Sequence, residues 1–384
     1  MIMFNFGLND YQIALKESVQ RYLHSECDLH TIRKIIESSD CFSEKVWNDL
    51  ANLGLLGMNV PEEFGGSGLG SVDLAVVMEC LGSIPLPGPY LETITVADML
   101  VKAGTDEQRK MYLPKIAAGQ LVATYAIDEP DGYWCADAVQ ATAVHSGDDY
   151  SLNGRKLWVP YANVADLIIC AVRTSQNLNS EEGISLIVFD RQQLDIPVMP
   201  LNSMDESYRL CEINLDGLRV PSANILGKID QGWPIWKEGK GLATLLASAE
   251  MIGGIDKSLQ MAVSYSRERV QFGKPIGSYQ AIKHRCADML TDLEAVRGSV
   301  YYAAWAMQNQ LPDAEIAISS AKAYASDAYV RTAEKSLQIF GAIGFTWEHD
   351  IHFYLKRAKR LEMAFGDATF HRENVAENWL GPSC

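Results

Sequence analysis

Apolar residues recur at helical spacing through the first third of the chain. Over residues 9–36, Ile13, Leu15, Val19, Tyr22 and Leu23 alternate with charged positions, which predicts one long helix. A second helix is expected over residues 47–56, ended by Gly54 and Gly57, and another over residues 72–81. The string Pro85-Leu86-Pro87-Gly88-Pro89 predicts a rigid turn. Helix resumes as far as Ala103, and Thr105 followed by Asp106 and Glu107 predicts a capped helix that closes this section near Gly119. Beyond Gln120 the period shortens. Residues 122–127, 138–144, 167–172 and 184–189 are strand runs, residues 211–215 alternate, and residues 150–159 predict a hairpin turning at Asn153-Gly154. Helical spacing returns from Trp236, over residues 242–267, 280–308, 313–340 and 368–380. Short strands separated by turn signals suggest a small β barrel or sandwich, and long helices packed together suggest a four-helix bundle. The expected fold is α+β and multidomain: a helical N-terminal domain over 1–120, a central β domain over 121–232 and a C-terminal bundle over 233–384.

Composition narrows the function classes. The 384 residues are long enough for two or three domains, and 48% apolar with 21% charged is ordinary for a soluble enzyme. A net charge of -16 argues against nucleic acid as a partner. Local cations can still hold an anionic ligand. Eight cysteines (Cys27, Cys41, Cys80, Cys135, Cys170, Cys211, Cys286 and Cys384) stand without CxxC pairs, so reduced thiols are expected rather than disulfides or a metal site. The polar run at Trp347-Glu348-His349-Asp350 and His352 invites a metal reading, but no partner cluster accompanies it and a helix start is expected there. No apolar run reaches membrane-spanning length, and residues 1–8 lack a basic stretch followed by an apolar core. A cytoplasmic protein is the expectation.

The chemistry concentrates after the first long C-terminal helix. Arg269-Val270-Gln271-Phe272-Gly273-Lys274-Pro275-Ile276 combines a helix stop, a permanently charged planar fork and an exposed-looking ring. Gln280-Ala281-Ile282-Lys283-His284-Arg285-Cys286-Ala287-Asp288-Met289 follows. Together the two strings closely resemble the C-terminal signature of the acyl-CoA dehydrogenases, in which the Arg and Phe hold the ADP part of FAD across a subunit interface. The resemblance makes Arg269, Gln271, Phe272 and Gln280 cofactor candidates. Gln338-Ile339-Phe340-Gly341-Ala342-Ile343-Gly344 resembles the family's Q-x-x-G-G-x-G, with Ala342 for the second glycine; it adds Gln338 and Gly341. Val60-Pro61-Glu62-Glu63-Phe64-Gly65-Gly66 and Leu113-Pro114-Lys115-Ile116-Ala117-Ala118-Gly119 are also family strings, so the resemblance spans the chain.

Other positions depart from the family pattern. Where T-E-P-x-A-G-S-D is usual, this chain has Asp128-Glu129-Pro130-Asp131-Gly132-Tyr133-Trp134. Where W-I-T-N-G is usual, it has Trp158-Val159-Pro160-Tyr161-Ala162; Trp158 stays a cofactor candidate, and Pro160 offers neither hydroxyl nor N–H. The family reaction removes an α proton from a thioester and passes a hydride to flavin, which needs a carboxylate base. The base position of Y-E-G-T is Phe365 here, and the alternative position on an earlier helix falls near Ala243. The nearest carboxylates are Asp367, which would also make a good N-cap, and Glu250, which would also suit a salt bridge within the bundle. Asp367 is the better catalytic candidate of the two.

Gly344-Phe345-Thr346-Trp347-Glu348-His349 with Leu355-Lys356-Arg357-Ala358 resembles strings of steroid side-chain members, many of which pair a regular subunit with a degenerate one. The resemblance implies an FAD-dependent acyl-CoA dehydrogenase that introduces an α,β double bond into an acyl-CoA thioester with a bulky acyl group. It implies a place in an α2β2 heterotetramer and electron-transferring flavoprotein as acceptor. A catalytically silent subunit completing a partner's FAD site, and an active homotetramer with a relocated base, are the alternatives.

Overall fold

In the computed structural model, which describes residues 7–130, 132, 134–175 and 181–381, helices begin where a side chain can close the first turn. α1 (Asp10–Glu26) starts on a capping box between Asn9 and Gln12. The single helix expected over 9–36 breaks at Cys27, because the Asp28 carboxylate accepts the Thr31 N–H at 2.7 Å and starts a new helix, α2 (Leu29–Glu37). α3 (Glu44–Asn52) begins ahead of Trp47 because Ser43 caps it. α4 (Ser71–Gly82), α5 (Tyr90–Ala103) and α6 (Asp106–Ala117) follow, the last started by the reciprocal Thr105 and Gln108 bonds.

The β section contains β1 (Ala123–Ala126), β2 (Thr142–Ser146), β3 (Asp149–Asn153), β4 (Arg155–Pro160), β5 (Leu167–Arg173), β6 (Ile184–Asp190), β7 (Val198–Leu201), β8 (Leu210–Asn214), β9 (Arg219–Pro221) and β10 (Ile225–Leu226). A seven-stranded sheet runs β10-β6-β5-β2-β3-β9, with β1 parallel to β5; a three-stranded sheet runs β4-β8-β7. β5 and β6 are apolar and buried on both faces, as central strands require. The hairpin expected at Asn153-Gly154 does not form. β3 pairs with β2 across Gly147-Asp148, and β4 pairs with β8 in the other sheet. Gly154, at φ +127°, is where the chain changes sheets; a Cβ there would lie 2.8 Å from the Cβ of Ala141.

The C-terminal section holds α7 (Gly232–Glu268), the two-residue strands β11 (Val270–Gln271) and β12 (Lys274–Pro275), α8 (Gln280–Gln308), α9 (Ala314–Phe340), α10 (Ile351–Met363) and α11 (Ala368–Leu380). The helical, β, helical order expected from the sequence is present. The chain divides into two units, one of Met1–Arg33, Gly70–Leu86 and Thr244–Cys384, the other of Lys34–Leu69 and Pro87–Ala243.

In the first unit α9 packs against α8, α10 and α11, and α4 lies between α1 and α8. Gly254 lets α7 approach α9 closely: a Cβ would come within 2.2 Å of the Tyr329 hydroxyl oxygen. The buried Glu79 carboxylate joins three helices, accepting from Lys16 at 2.9 Å, Arg297 at 3.3 Å and the Tyr301 hydroxyl at 2.7 Å. In the second unit α5 packs on β1, fixed by the Thr93 hydroxyl donating to the Ala123 carbonyl at 2.9 Å. Among the described residues no helix is long and apolar enough to cross a membrane.

Candidate active site

In the first unit, α7 ends at Glu268 and the chain reverses in a tight hairpin. Its two loop residues, Phe272 at φ +53° and Gly273 at φ +79°, are both left-handed, which is the signature of a type I′ turn. A phenylalanine pays for that backbone with strain, and its ring packs on nothing: Phe272 is 92% exposed. The Tyr279 hydroxyl donates to the Gln271 carbonyl at 3.1 Å, and the Lys274 ammonium sits 4.4 Å from the centre of the Tyr279 ring, so the hairpin itself is held firmly. The side chains of Arg269, Gln271 and Gln280 are exposed, and the Arg269 guanidinium has no ion-pair partner among the described residues. Gln338 is exposed near the end of α9, and Gly341, at φ +66°, has open space where a Cβ would stand. Tyr265 and Phe340 stack 4.4 Å apart and tie the ends of α7 and α9 together. Arg269, Phe272, Gln338 and Gly341 therefore gather at one end of this unit.

The candidate carboxylates of the same unit are engaged. Asp367 is the N-cap of α11 and accepts the Phe370 N–H at 2.8 Å. Glu250 is buried and accepts from Arg357 at 2.6 Å and Arg360 at 3.2 Å. Phe365 and Gly366 form a left-handed turn, at φ +62° and +118°. That turn is pinned from α9 by Lys322, fully buried, which donates to the Gly366 carbonyl at 2.9 Å and the Glu362 carbonyl at 3.1 Å. His349 Nδ1 accepts the Ile351 N–H at 3.2 Å at the start of α10, and His352 stacks on Trp347 with centroids 5.2 Å apart. Burial lowers the pKa of both histidines. Among the described residues no His, Cys, Asp or Glu group is arranged to hold a metal.

In the second unit a ledge forms at the end of β1. Glu129 is its foundation. Its buried carboxylate accepts from the fully buried Lys156 at 2.6 Å and from the Gln140 and Ala141 N–H groups at 3.0 Å each. The Leu157 N–H donates to the Asp128 carbonyl at 2.9 Å, which joins β1 to β4. A bulge in β4 between Lys156 and Val159 puts Trp158 at φ +52° and turns its ring outward, 43% exposed. Gly132 lies beside that ring; a Cβ there would sit 3.4 Å from it. Trp134 follows, and its carbonyl accepts from the Lys240 ammonium at 3.1 Å. Solvent reaches Asp128, yet enough protein surrounds its carboxyl for desolvation to raise its pKa, against the pull of Lys156 and Lys240. Burial lowers the Lys240 pKa from its usual 10.5 to about 8; Asp128 and Cys135 oppose that shift and Lys237 adds to it. The Pro160 carbonyl accepts from the buried Thr124 hydroxyl at 2.7 Å, so it serves the core. Asp131 and Tyr133, singled out in the altered string, lie outside the described residues.

The family model described as the acyl-CoA dehydrogenase C-terminal domain matches residues 230–380, and the one described as the N-terminal domain matches residues 9–120. The chain belongs to the acyl-CoA dehydrogenase family. It is 28% identical to an acyl-CoA dehydrogenase of Bacillus subtilis over 96% of this chain and 98% of that protein. It is 30% identical to the caffeyl-CoA reductase-Etf complex subunit CarC of Acetobacterium woodii over 82% of this chain and 84% of that protein. Among solved structures, the ChsE4-ChsE5 complex from Mycobacterium tuberculosis superposes with a TM-score of 0.89 at 26% identity, over 99% of this chain and 100% of that one.

Acyl-CoA dehydrogenases bind FAD, and the residues of this chain fit it at the end of the first unit. An unpaired guanidinium, a ring presented in a strained turn and an open glycine are what a dinucleotide's phosphates and base require. The ledge of the second unit offers an outward-facing Trp158 but places charges, Asp128 and Lys240, where the family pattern has hydroxyls. Sequence reasoning noted Asp128 only as a departure and missed Lys240, which sits in an unremarkable Lys-Gly run; only the fold brings it to Trp134. Lys322 was missed as well, since nothing in an Ala-rich helix marks a buried lysine that fixes a distant turn.

Proposed function

We propose that this chain is one subunit of an FAD-dependent acyl-CoA dehydrogenase that introduces an α,β double bond into an acyl-CoA thioester, working beside a second, unlike subunit in an α2β2 assembly. The observation that carries this reading is the state of the carboxylates: Asp367 caps α11, Glu250 lies between two arginines, and the usual base position is Phe365. A base held in such bonds would have to break them to reach a proton. The exposed Arg269 and Phe272, with Gln338 and Gly341, would hold the ADP portion of FAD, and Trp158 would face its ring. FAD, when bound, accepts the hydride from the substrate. Arg269 contributes a charge-assisted contact to phosphate, Phe272 a stacking face, and the partner subunit the base. The complex formed by ChsE4 and ChsE5 and the Etf complex of CarC support an unlike subunit and electron-transferring flavoprotein as partners. A bulky acyl group, of the steroid side-chain kind, fits the strings around Trp347.

The decisive measurement is flavin absorbance and native mass of the purified chain, alone and co-expressed with a partner from the same operon. Alone it should carry little flavin; with the partner it should carry stoichiometric FAD and turn over a bulky acyl-CoA. Full occupancy and turnover alone would favour a homotetramer with a relocated base. Asp367→Asn and Glu250→Gln, made separately in the complex, then decide whether this chain is silent in catalysis. If neither lowers turnover, the base belongs to the partner.

A further inference from the structure

The ledge at the end of β1 carries an opposed pair of charges. Asp128 is reached by solvent, and its backbone is clamped to β4 beside the Trp158 bulge. Lys240 is half-buried and anchored on the Trp134 carbonyl at 3.1 Å. Between them runs a continuous surface, because Gly132 stands against the Trp158 ring and Trp134 follows it in sequence. Beneath lies the buried Glu129–Lys156 pair, neutral overall and fixed by two backbone N–H groups, which makes the platform rigid. Asp128 and Lys240 are coupled electrostatically, and each also feels the surrounding charges: Lys156 and Glu129 for Asp128, Lys237 and Cys135 for Lys240. A half-buried ammonium and a crowded carboxylate beside an outward indole form a charged frame for a flat, hydrogen-bonding ring. Charge near a flavin ring tunes its redox balance, because the reduced ring gains electron density that a nearby cation stabilises and a nearby anion opposes.

We propose that Asp128 and Lys240 form a compensated charge pair facing the ring of bound FAD, in which Asp128 disfavours the reduced form and Lys240 favours it. This rests on the reading of the chain as part of an FAD-binding assembly. Neither residue moves a proton of the substrate; both act on the balance between oxidised and reduced FAD.

The test is a redox titration of the FAD-loaded protein at neutral pH, as the full chain with saturating FAD or as the co-purified complex. Asp128→Asn should favour reduced over oxidised FAD by about tenfold, a rise of about 30 mV for a two-electron couple. Lys240→Gln should move the balance the opposite way by a similar factor. The double variant should return to within about threefold of the parent, the mark of two residues that compensate each other. Asp128→Thr should shift in the same direction as Asp128→Asn, which separates charge from shape. Thermal melts of the FAD-free variants show that each is folded. Shifts of the same sign in the two single variants, or no shift in either with FAD bound, overturn the proposal and leave the functional reading intact. Failure of the parent to bind FAD in either form overturns the functional reading, and the proposal falls with it.

Discussion

Phe272 holds the plainest conflict between stability and function at the level of a single residue. A type I′ turn favours Asn-Gly, and this chain has Phe-Gly with the ring 92% exposed. Phe272→Asn should therefore stabilise the FAD-free protein by about 1 kcal/mol, since the left-handed penalty is relieved and no packing is lost. The same change should weaken FAD binding, because the stacking face is gone. Denaturant melts and an FAD titration on one preparation check both halves; a variant that binds FAD as tightly as the parent would make Phe272 a turn residue only. Lys240 carries a second residue-scale prediction. Its native pKa of about 8 lies below the usual 10.5, so between those values the unfolded chain binds more protons than the native one. Stability should rise with pH across that window. Relative to Lys240→Met, the parent should be at a disadvantage below about pH 8 and recover as the pH approaches 10.5. Melting both proteins at neutral and at alkaline pH measures the difference, and a pH-independent gap would contradict it.

Among the elements, the crossing from β3 to β4 shows how backbone geometry overrides a local signal. Asn153-Gly154 has the chemistry of a hairpin, but a hairpin there would join two strands that belong to different sheets. Gly154 instead meets Ala141 and donates its N–H to the Asp216 carboxylate at 2.8 Å. Gly154→Ala should lower stability by about 1–3 kcal/mol, from strain at φ +127° and the clash with Ala141. Urea denaturation reads this directly; a loss below about 0.5 kcal/mol would place Gly154 among ordinary surface positions. The turn after α10 follows the same logic. Phe365 and Gly366 are held left-handed because Lys322 reaches across from α9 to their carbonyls, an arrangement no local pattern announces.

For the whole molecule, cofactor binding and assembly are one equilibrium if FAD lies between subunits. Arg269→Ala removes a charge-assisted contact worth roughly 1.5–3 kcal/mol, so FAD affinity should fall about ten- to a hundredfold. Arg269→Lys should recover only part of it, since an ammonium lacks the planar fork. Through mass action the Ala variant should also dissociate at higher protein concentration when FAD is limiting. Sedimentation with and without FAD tests the linkage, and unchanged FAD affinity would remove Arg269 from the site. The sequence by itself determined the order of helical, β and helical sections, because hydrophobic period is a local property that each segment carries alone. It also marked the Arg269–Phe272 turn and the Gln338–Gly341 end of α9, where the chemistry is contiguous in the chain. Tertiary structure alone decided that residues 9–36 break at a cap, that β3 and β4 part into different sheets, and that Glu250 meets Arg357 and Arg360. It alone brought Lys240 to the carbonyl of Trp134. The physical reason is common to all four: side-chain hydrogen bonds, ion pairs and close contacts join residues far apart in the chain or override a local preference, and a single sequence records the partners but not their meeting.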